Sequence, residues 1–475
     1  MKKLFISRIE ILIEIIELMN KTHISLKFIF IILVVSIFIF IFPSINYIVK
    51  DDREDQKYLL SKTWDLSGTV IHINNNWSAT AFKYEWCSGN GTINNPYLLE
   101  NITIDALGNV ACIIIENSDD FFIIQRCTLY NSLYNLLIDE TYNDGIKLIN
   151  VDNGLIKNNN FSSNGYGLYM GGGYYNTISH NNFNDNTYGI GMDNCYNSTV
   201  SDNQLIKNYF YGITLSDCDY NIISNNTATH SFYGIRAWWC RENKILFNNL
   251  SQHQITGLEL SQCFNSLIIN NLLNYNNEQG IFVELSNGNN ISKNHCNNNL
   301  KYGICLNGSD FSEGIANKDN QISENIIHNN SWGIFLKYSS NNEISNNSIK
   351  KNQYSGIYAD NSDYLNISWN IINENHYGIN ISECIWCIIE LNTINNNYYG
   401  IFLRDSHKNI IFKNTLLNNK KCFVESEDCI DNTFEDNICK ELENPNIWII
   451  PTIIISVSSV GLIGTIWLIM RKLRK

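Results

Sequence analysis

Glu383 with Asp405, and Glu116 with Asp139, stand at matching offsets from a repeated residue of this 475-residue chain. Two carboxyl groups held a few ångströms apart can share acid and base work on one glycosidic bond. Each pair is therefore a candidate catalytic site, with Arg404 near the first. Acidic residues make up about one in ten of the chain, however, and matching offsets also arise by chance at that density. The expectation is that these carboxylates do no chemistry. A polysaccharide lyase or glycoside hydrolase using Glu383, Arg404 and Asp405 stands as the alternative.

A second candidate set is aromatic. Tyr169, Phe282, Phe335, Tyr358 and Phe402 each follow a repeated glycine by two positions and are expected to point outward. Stacked rings there would suit the apolar faces of sugars or simply pack on one another. Tyr166, Tyr188, Tyr211, Tyr233, Tyr302, Trp332, Tyr377 and Tyr399 precede the glycine and share parity with the inward residues, so they are expected to pack a corner.

The third set is thiol. Cys195, Cys218, Cys240, Cys263 and Cys384 fall six past a glycine, where other repeats carry Ser286, Ser309, Ser339, Ser362 and Ser406. A slot shared by cysteine and serine wants a small residue, read here as an inward ladder. Disulfides and a soft-metal site are the alternatives. Cys384-x-x-Cys387 has no second pair or neighbouring histidine at ligand spacing, so it is a weak metal motif.

What positions these residues is a repeat. Glycines at 145, 167, 189, 212, 234, 257, 280, 303, 333, 356, 378 and 400 are spaced by 22 or 23 residues, except for one gap of 30. A fixed period marks a solenoid whose units bury their apolar faces only by stacking. Apolar residues alternate, as in Ile213 and Leu215, and this indicates strands. A β-branched residue recurs eleven past the glycine. Asn159, Asn181, Asn203, Asn226, Asn248, Asn271, Asn294, Asn347, Asn370, Asn392 and Asn414 recur fourteen past it, where Asn tolerates left-handed backbone in a tight corner and can bond from rung to rung. A second asparagine ladder runs at position nineteen. Three short strands per turn result. Cys112 and Asn135 are read as markers of glycine-free first rungs, and the 30-residue gap places about eight extra residues within 309–320.

The consensus Gly-Ile-x-Leu-x-x-(Ser/Cys)-x-x-Asn-x-Ile-x-x-Asn, with the entry stretch from Asn95 to Asp105, resembles the right-handed parallel β-helix, pectin-lyase-like family and its NosD-like membrane-associated members. The resemblance implies an all-β solenoid of about 14 to 15 rungs over 96–440, roughly 70 Å long at the strand spacing. It also implies a protein working beside a membrane transporter in maturing a copper enzyme. Copper handling needs convergent thiols, thioethers or imidazoles. Of five methionines, Met1, Met19 and Met470 lie at or beyond the apolar ends, and His180, His230, His253, His295, His328, His376 and His407 have unrelated offsets. No metal or cofactor is expected.

The ends of the chain are apolar. A basic segment, 1–27, precedes a nearly uncharged run at 28–49, long enough to span a bilayer as a signal anchor or to act as a signal peptide. Acidic residues follow at once. Residues 50–95 read as an N-terminal cap, 447–470 as a second span and 471–475 as a basic tail. The charge asymmetry places both termini in the cytoplasm and the solenoid outside. A net charge of −13 argues against nucleic acid. The expected partners are the membrane and a surface carbohydrate or surface protein. Asn-x-Ser/Thr sequons such as Asn76 and Asn380 would be open to glycosylation there.

Overall fold

Apolar and polar residues alternate over runs of three to six, a period that buries one face of a strand. In the computed structural model, which describes residues 62–108, 111–132, 143–309 and 317–443, those runs are strands, each parallel to its equivalent one turn on except Cys87–Ser88, which runs antiparallel to Tyr97–Glu100. Fifteen strands, from Ile71–Asn74 to Lys421–Glu425, form a first sheet, and sixteen, from Cys87–Ser88 to Thr433–Glu435, form a second. The third face carries sheets of eight and six strands, joined by single parallel bridges at Leu272 and His295. The chain is the expected right-handed parallel β-solenoid. Its interior is a stack of aliphatic columns, among them Ile178, Val200, Ile223 and Ile245, all essentially without solvent contact.

Asn226 shows how a rung is tied to its neighbours. Its Nδ2 donates to the carbonyl of Val200 at 2.8 Å and to Oδ1 of Asn248 at 3.1 Å, while its own Oδ1 accepts from the backbone N–H of Asn203 at 3.0 Å. The same bonds recur from Asn159 to Asn437, and a second ladder at position nineteen runs through Asn276 and Asn299. A third, nine past the glycine, contains Asn221, Asn243 and Asn289. The left-handed residue, however, is not the ladder asparagine but the one before it. His180, Phe247, Glu324, Trp369 and Leu391 all have φ between 55° and 59°. Such backbone is costly for residues other than glycine. The buried amide that follows holds it in place, so the corner itself accepts any side chain.

Several expectations are corrected. The strand Ile113–Ser118 pairs directly with Asp144–Val151, Ile113 facing Ile146, so Asn135 marks no rung of the first sheet. In the first turns the inward residues are Phe122 and Ile124 rather than Ile123, the residue that the eleven-residue offset from Cys112 selects, because the Cys112 rung is one residue longer before the second sheet. At the long insertion, Asn317 occupies the sixth-position slot, accepting from the backbone N–H of Ser286 at 2.6 Å; Ser309 does not. The aromatics before the glycine lie on the outer face. Parity breaks at the glycine because it and the next residue both face inward: a Cβ on Gly189 would meet Gly212 O at 2.4 Å and Leu205 Cδ2 at 2.9 Å.

At the N-terminal end a helix, α1 (Trp77–Lys83), covers the open turn. The Trp77 ring stacks on Tyr97 at 5.0 Å and its Nε1 donates to Ser118 Oγ at 2.8 Å. At the other end a disulfide joins Cys422 to Cys439. Among the described residues no helix is long and apolar enough to cross a membrane, and the spans expected at 28–49 and 447–470 lie outside the described residues.

Candidate functional site on the outer face of the first sheet

The residue two past each glycine projects from the outer face, and register sets these residues in one column. Lys147, Tyr169, Gly191, Thr214, Arg236, Glu259 and Phe282 follow one another, then Cys305, Phe335, Tyr358, Asn380 and Phe402. The five predicted aromatics are all half-buried here. Phe335 and Tyr358 stack at 5.2 Å, Tyr302 packs on Phe335 at 4.6 Å, and Phe402 lies against Tyr399 at 5.8 Å. Cys305 separates Phe282 from Phe335, and Asn380 separates Tyr358 from Phe402.

Gly191 opens a gap in the column between Tyr169 and Thr214. A Cβ there would stand 2.5 Å from Tyr166 Cε1, so the bare backbone lets that ring fold over the strand. The result is a cleft of about 360 Å³ lined by Asp144, Lys147, Tyr169, Asp193, Thr214 and Trp238, with Tyr166 and Gly191 also contributing. Asp144 is 1% exposed and its Oδ1 has no hydrogen-bond partner; neither does the buried Oγ1 of Thr214. Burial pushes the Asp144 carboxyl up to about 8, with Lys147 pulling the other way. Burial, aided by Asp193 and Asp144, likewise pushes the Tyr169 phenol up to about 12. Tyr169 is therefore a donor, aimed at Asp193 Oδ2 at 3.5 Å, and not a base.

Beyond the cleft, Arg236 bonds Glu259 Oε1 at 2.9 Å and Tyr211 Oη at 2.7 Å, with Trp238 beside it. Burial raises the Glu259 carboxyl, while on Arg236 burial is outweighed by Glu259 and Tyr211 and the pKa is raised. One shift disfavours charge and the other favours it. The 2.9 Å contact between Arg236 Nε and Glu259 Oε1, with the guanidinium also held by Tyr211, decides for an ion pair.

The predicted carboxylates lie elsewhere. Glu383 and Asp405 occupy left-handed positions, φ 53° and 46°, on an edge corner of the same sheet. Glu383 accepts from Asn361, while Arg404 donates to Ser382 Oγ at 2.7 and 3.0 Å and pairs loosely with Asp405 Oδ2 at 3.9 Å rather than bridging the two acids. Glu116 bonds His72 at 2.9 Å and faces Ile149 in the next strand. Asp139 lies outside the described residues. Asp144, Lys147 and Thr214 are not among the expected site residues, although their spacing carries a signal: Lys147 and Thr214 share the offset of the outward aromatics, and Asp144 fills the slot before the glycine.

The sixth-position cysteines are buried, as expected, yet they are not apolar filler. Cys218 Sγ accepts from the backbone N–H of Cys195 at 3.4 Å and its S–H donates to Ser216 O at 3.1 Å, as Ser362 Oγ does for Ser339. Cysteine and serine alternate because both can make these two bonds.

The family model described as "Periplasmic copper-binding protein (NosD)" matches residues 46–211, 93–279, 185–313 and 274–443, more than four-fifths of the chain taken together. No curated protein sequence matches. Among solved structures, the chain is similar to the periplasmic alginate epimerase AlgG, at 12% identity over 76% of this chain and 83% of that one, with a TM-score of 0.36. It is also similar to the Dettilon tailspike protein, at 13% identity over 63% and 58% of the two chains, TM-score 0.43. With its repeat matched from one end to the other, this chain belongs to the NosD family of parallel β-helix proteins.

Proposed function

We propose that this chain is a membrane-tethered, extracytoplasmic β-helix that binds glycan along the outer face of its first sheet and does not cleave it. The observation that carries this reading is the column of half-buried rings, Phe282, Phe335, Tyr358 and Phe402, in line with the Tyr169 cleft. Rings half-exposed along one face offer apolar surface to sugar C–H faces while their edges remain packed. The apolar runs at 28–49 and 447–470, with their basic flanks, supply the tether, and the periplasmic description of the family supports the placement.

Copper, named in that description, does not suit these residues. The Cys218 and Cys384 thiols are each spent on two backbone bonds; burial raises Cys218 and Cys296, and the neighbouring Cys263 with burial raises Cys240, far from the thiolate that a soft metal needs. Among the described residues, the group of three donors within 4.8 Å of one another is Cys422, Cys439 and Glu441, and its two sulfurs are bonded to each other.

Intact cells displaying the chain should capture members of a labelled polysaccharide panel, and external protease should abolish the capture. Phe335→Ala with Tyr358→Ala should weaken it about tenfold or more, and the retained sugar should keep its chain length. Capture that survives external protease, or is indifferent to the double substitution, would count against the proposal.

A further inference from the structure

We propose that the cleft between Tyr169 and Trp238 is a subsite for a sugar bearing a carboxylate, held by Asp144, Lys147 and Thr214. The inference rests on the glycan-binding reading and names the chemistry of one ligand residue within it.

The argument is a donor count. Asp144 Oδ1 and Thr214 Oγ1 are buried, line the same cleft and have no partner, an expensive state unless something else completes them. The other Asp144 oxygen already accepts from the Tyr166 backbone N–H. With its pKa near 8, Asp144 is a protonated acid at neutral pH and its free hydroxyl is a donor. The half-buried Lys147 ammonium lines the same cleft. The acceptor facing them, Asp193, is already served by Tyr169 at 3.5 Å and by Asn194 Nδ2 at 3.1 Å. The cleft thus holds a surplus of donors around one cation, which suits a carboxylate. Tyr166, Tyr169 and Trp238 supply ring surface for the rest of the sugar.

The groups facing Asp144 across the cleft set the pH behaviour: Lys147 on its own strand, Tyr166 and Tyr169 on the next and Asp193 on the one after. As pH rises through about 8, Asp144 ionises, turns from donor to repelling anion, and binding falls. Asn at this position keeps a neutral donor and removes the titration.

The test is calorimetric titration of the full-length protein in detergent with a galacturonic acid hexamer and the same hexamer with its carboxyls reduced to alcohols. Sialyllactose is compared with lactose in parallel. We expect a carboxylated member to bind at least tenfold tighter than its neutral counterpart at pH 7 and to lose that advantage by pH 9. Lys147→Met and Thr214→Val should each cost about tenfold, whereas Asp144→Asn should bind at pH 7 and lose the pH dependence, with melting temperatures reporting that each variant is folded. A preference for the hexamer or for sialyllactose identifies the source of the carboxylate. Equal binding of both members of both pairs overturns the subsite and leaves the glycan reading intact. A pH fall that persists in Asp144→Asn also overturns it. If no glycan of the wider panel binds, both proposals fail together.

Discussion

Asn294→Leu should lower the unfolding free energy by about 4 kcal/mol, although leucine matches asparagine closely in shape. Asn294 Nδ2 donates to Ile268 O at 2.8 Å and to Asn325 Oδ1 at 3.1 Å, and its Oδ1 accepts from the backbone N–H and the Nδ2 of Asn271 at 2.9 and 3.0 Å. Leucine leaves the Asn271 backbone N–H unpartnered in a dry interior, at about 1–3 kcal/mol, and removes the amide's further bonds to Ile268 O, Asn271 Nδ2 and Asn325 Oδ1. It also breaks the amide ladder at one rung and frees the left-handed Lys293 from the bond that holds it. Leucine's added apolar burial returns only part of this. Urea denaturation of the two proteins would measure the difference. A shift below about 1 kcal/mol would mean that the ladder decorates the corner and does not hold it.

His253 makes an equally direct prediction, because it stands in the position-nineteen ladder where most other rungs have asparagine. Its Nδ1 accepts from the Ser231 backbone N–H at 3.3 Å and its Nε2 meets Ala228 O at 2.9 Å, so the neutral ring performs both jobs of an amide. Burial lowers its pKa from 6.5 to about 4. As pH falls, the unfolded chain takes up the proton first. The contribution of the neutral ring is therefore complete above pH 6.5, declines between 6.5 and 4, and levels off below 4, a loss of about 3 kcal/mol. His253→Asn should remove this component. The stability difference between variant and parent should grow in favour of the variant across that window, as read from denaturation midpoints at pH 7, 5.5 and 4. A difference independent of pH would show that the ring is not held neutral.

The fold was legible because the repeat writes its geometry into spacing. Glycine where a Cβ would strike the next backbone, β-branched residues at the eleventh position and asparagine at the fourteenth each answer a steric or hydrogen-bonding need that recurs every turn. Parity was misjudged at Gly189 and its equivalents because sequence alternation assumes a regular pleat, and two successive inward residues violate it. The site was harder to see. Matching offsets point to the paired acids Glu383 and Asp405, which lie at a corner of the sheet, while a lone aspartate before Gly145 resembles one missing aromatic among many. What distinguishes Asp144 is a buried carboxyl with one oxygen unpartnered, in a cleft that Gly191 lines from two strands away.

The central claim, that the outer face of the first sheet is the binding surface, is tested most directly by hydroxyl-radical footprinting of the full-length protein with and without a captured glycan. Protection is expected at Tyr169, Trp238, Phe335, Tyr358 and Phe402, with no change at Phe247 and Trp369, which are exposed at corners between the second and third faces. Protection confined to Phe247 and Trp369, with the first-sheet rings unchanged, would contradict the account.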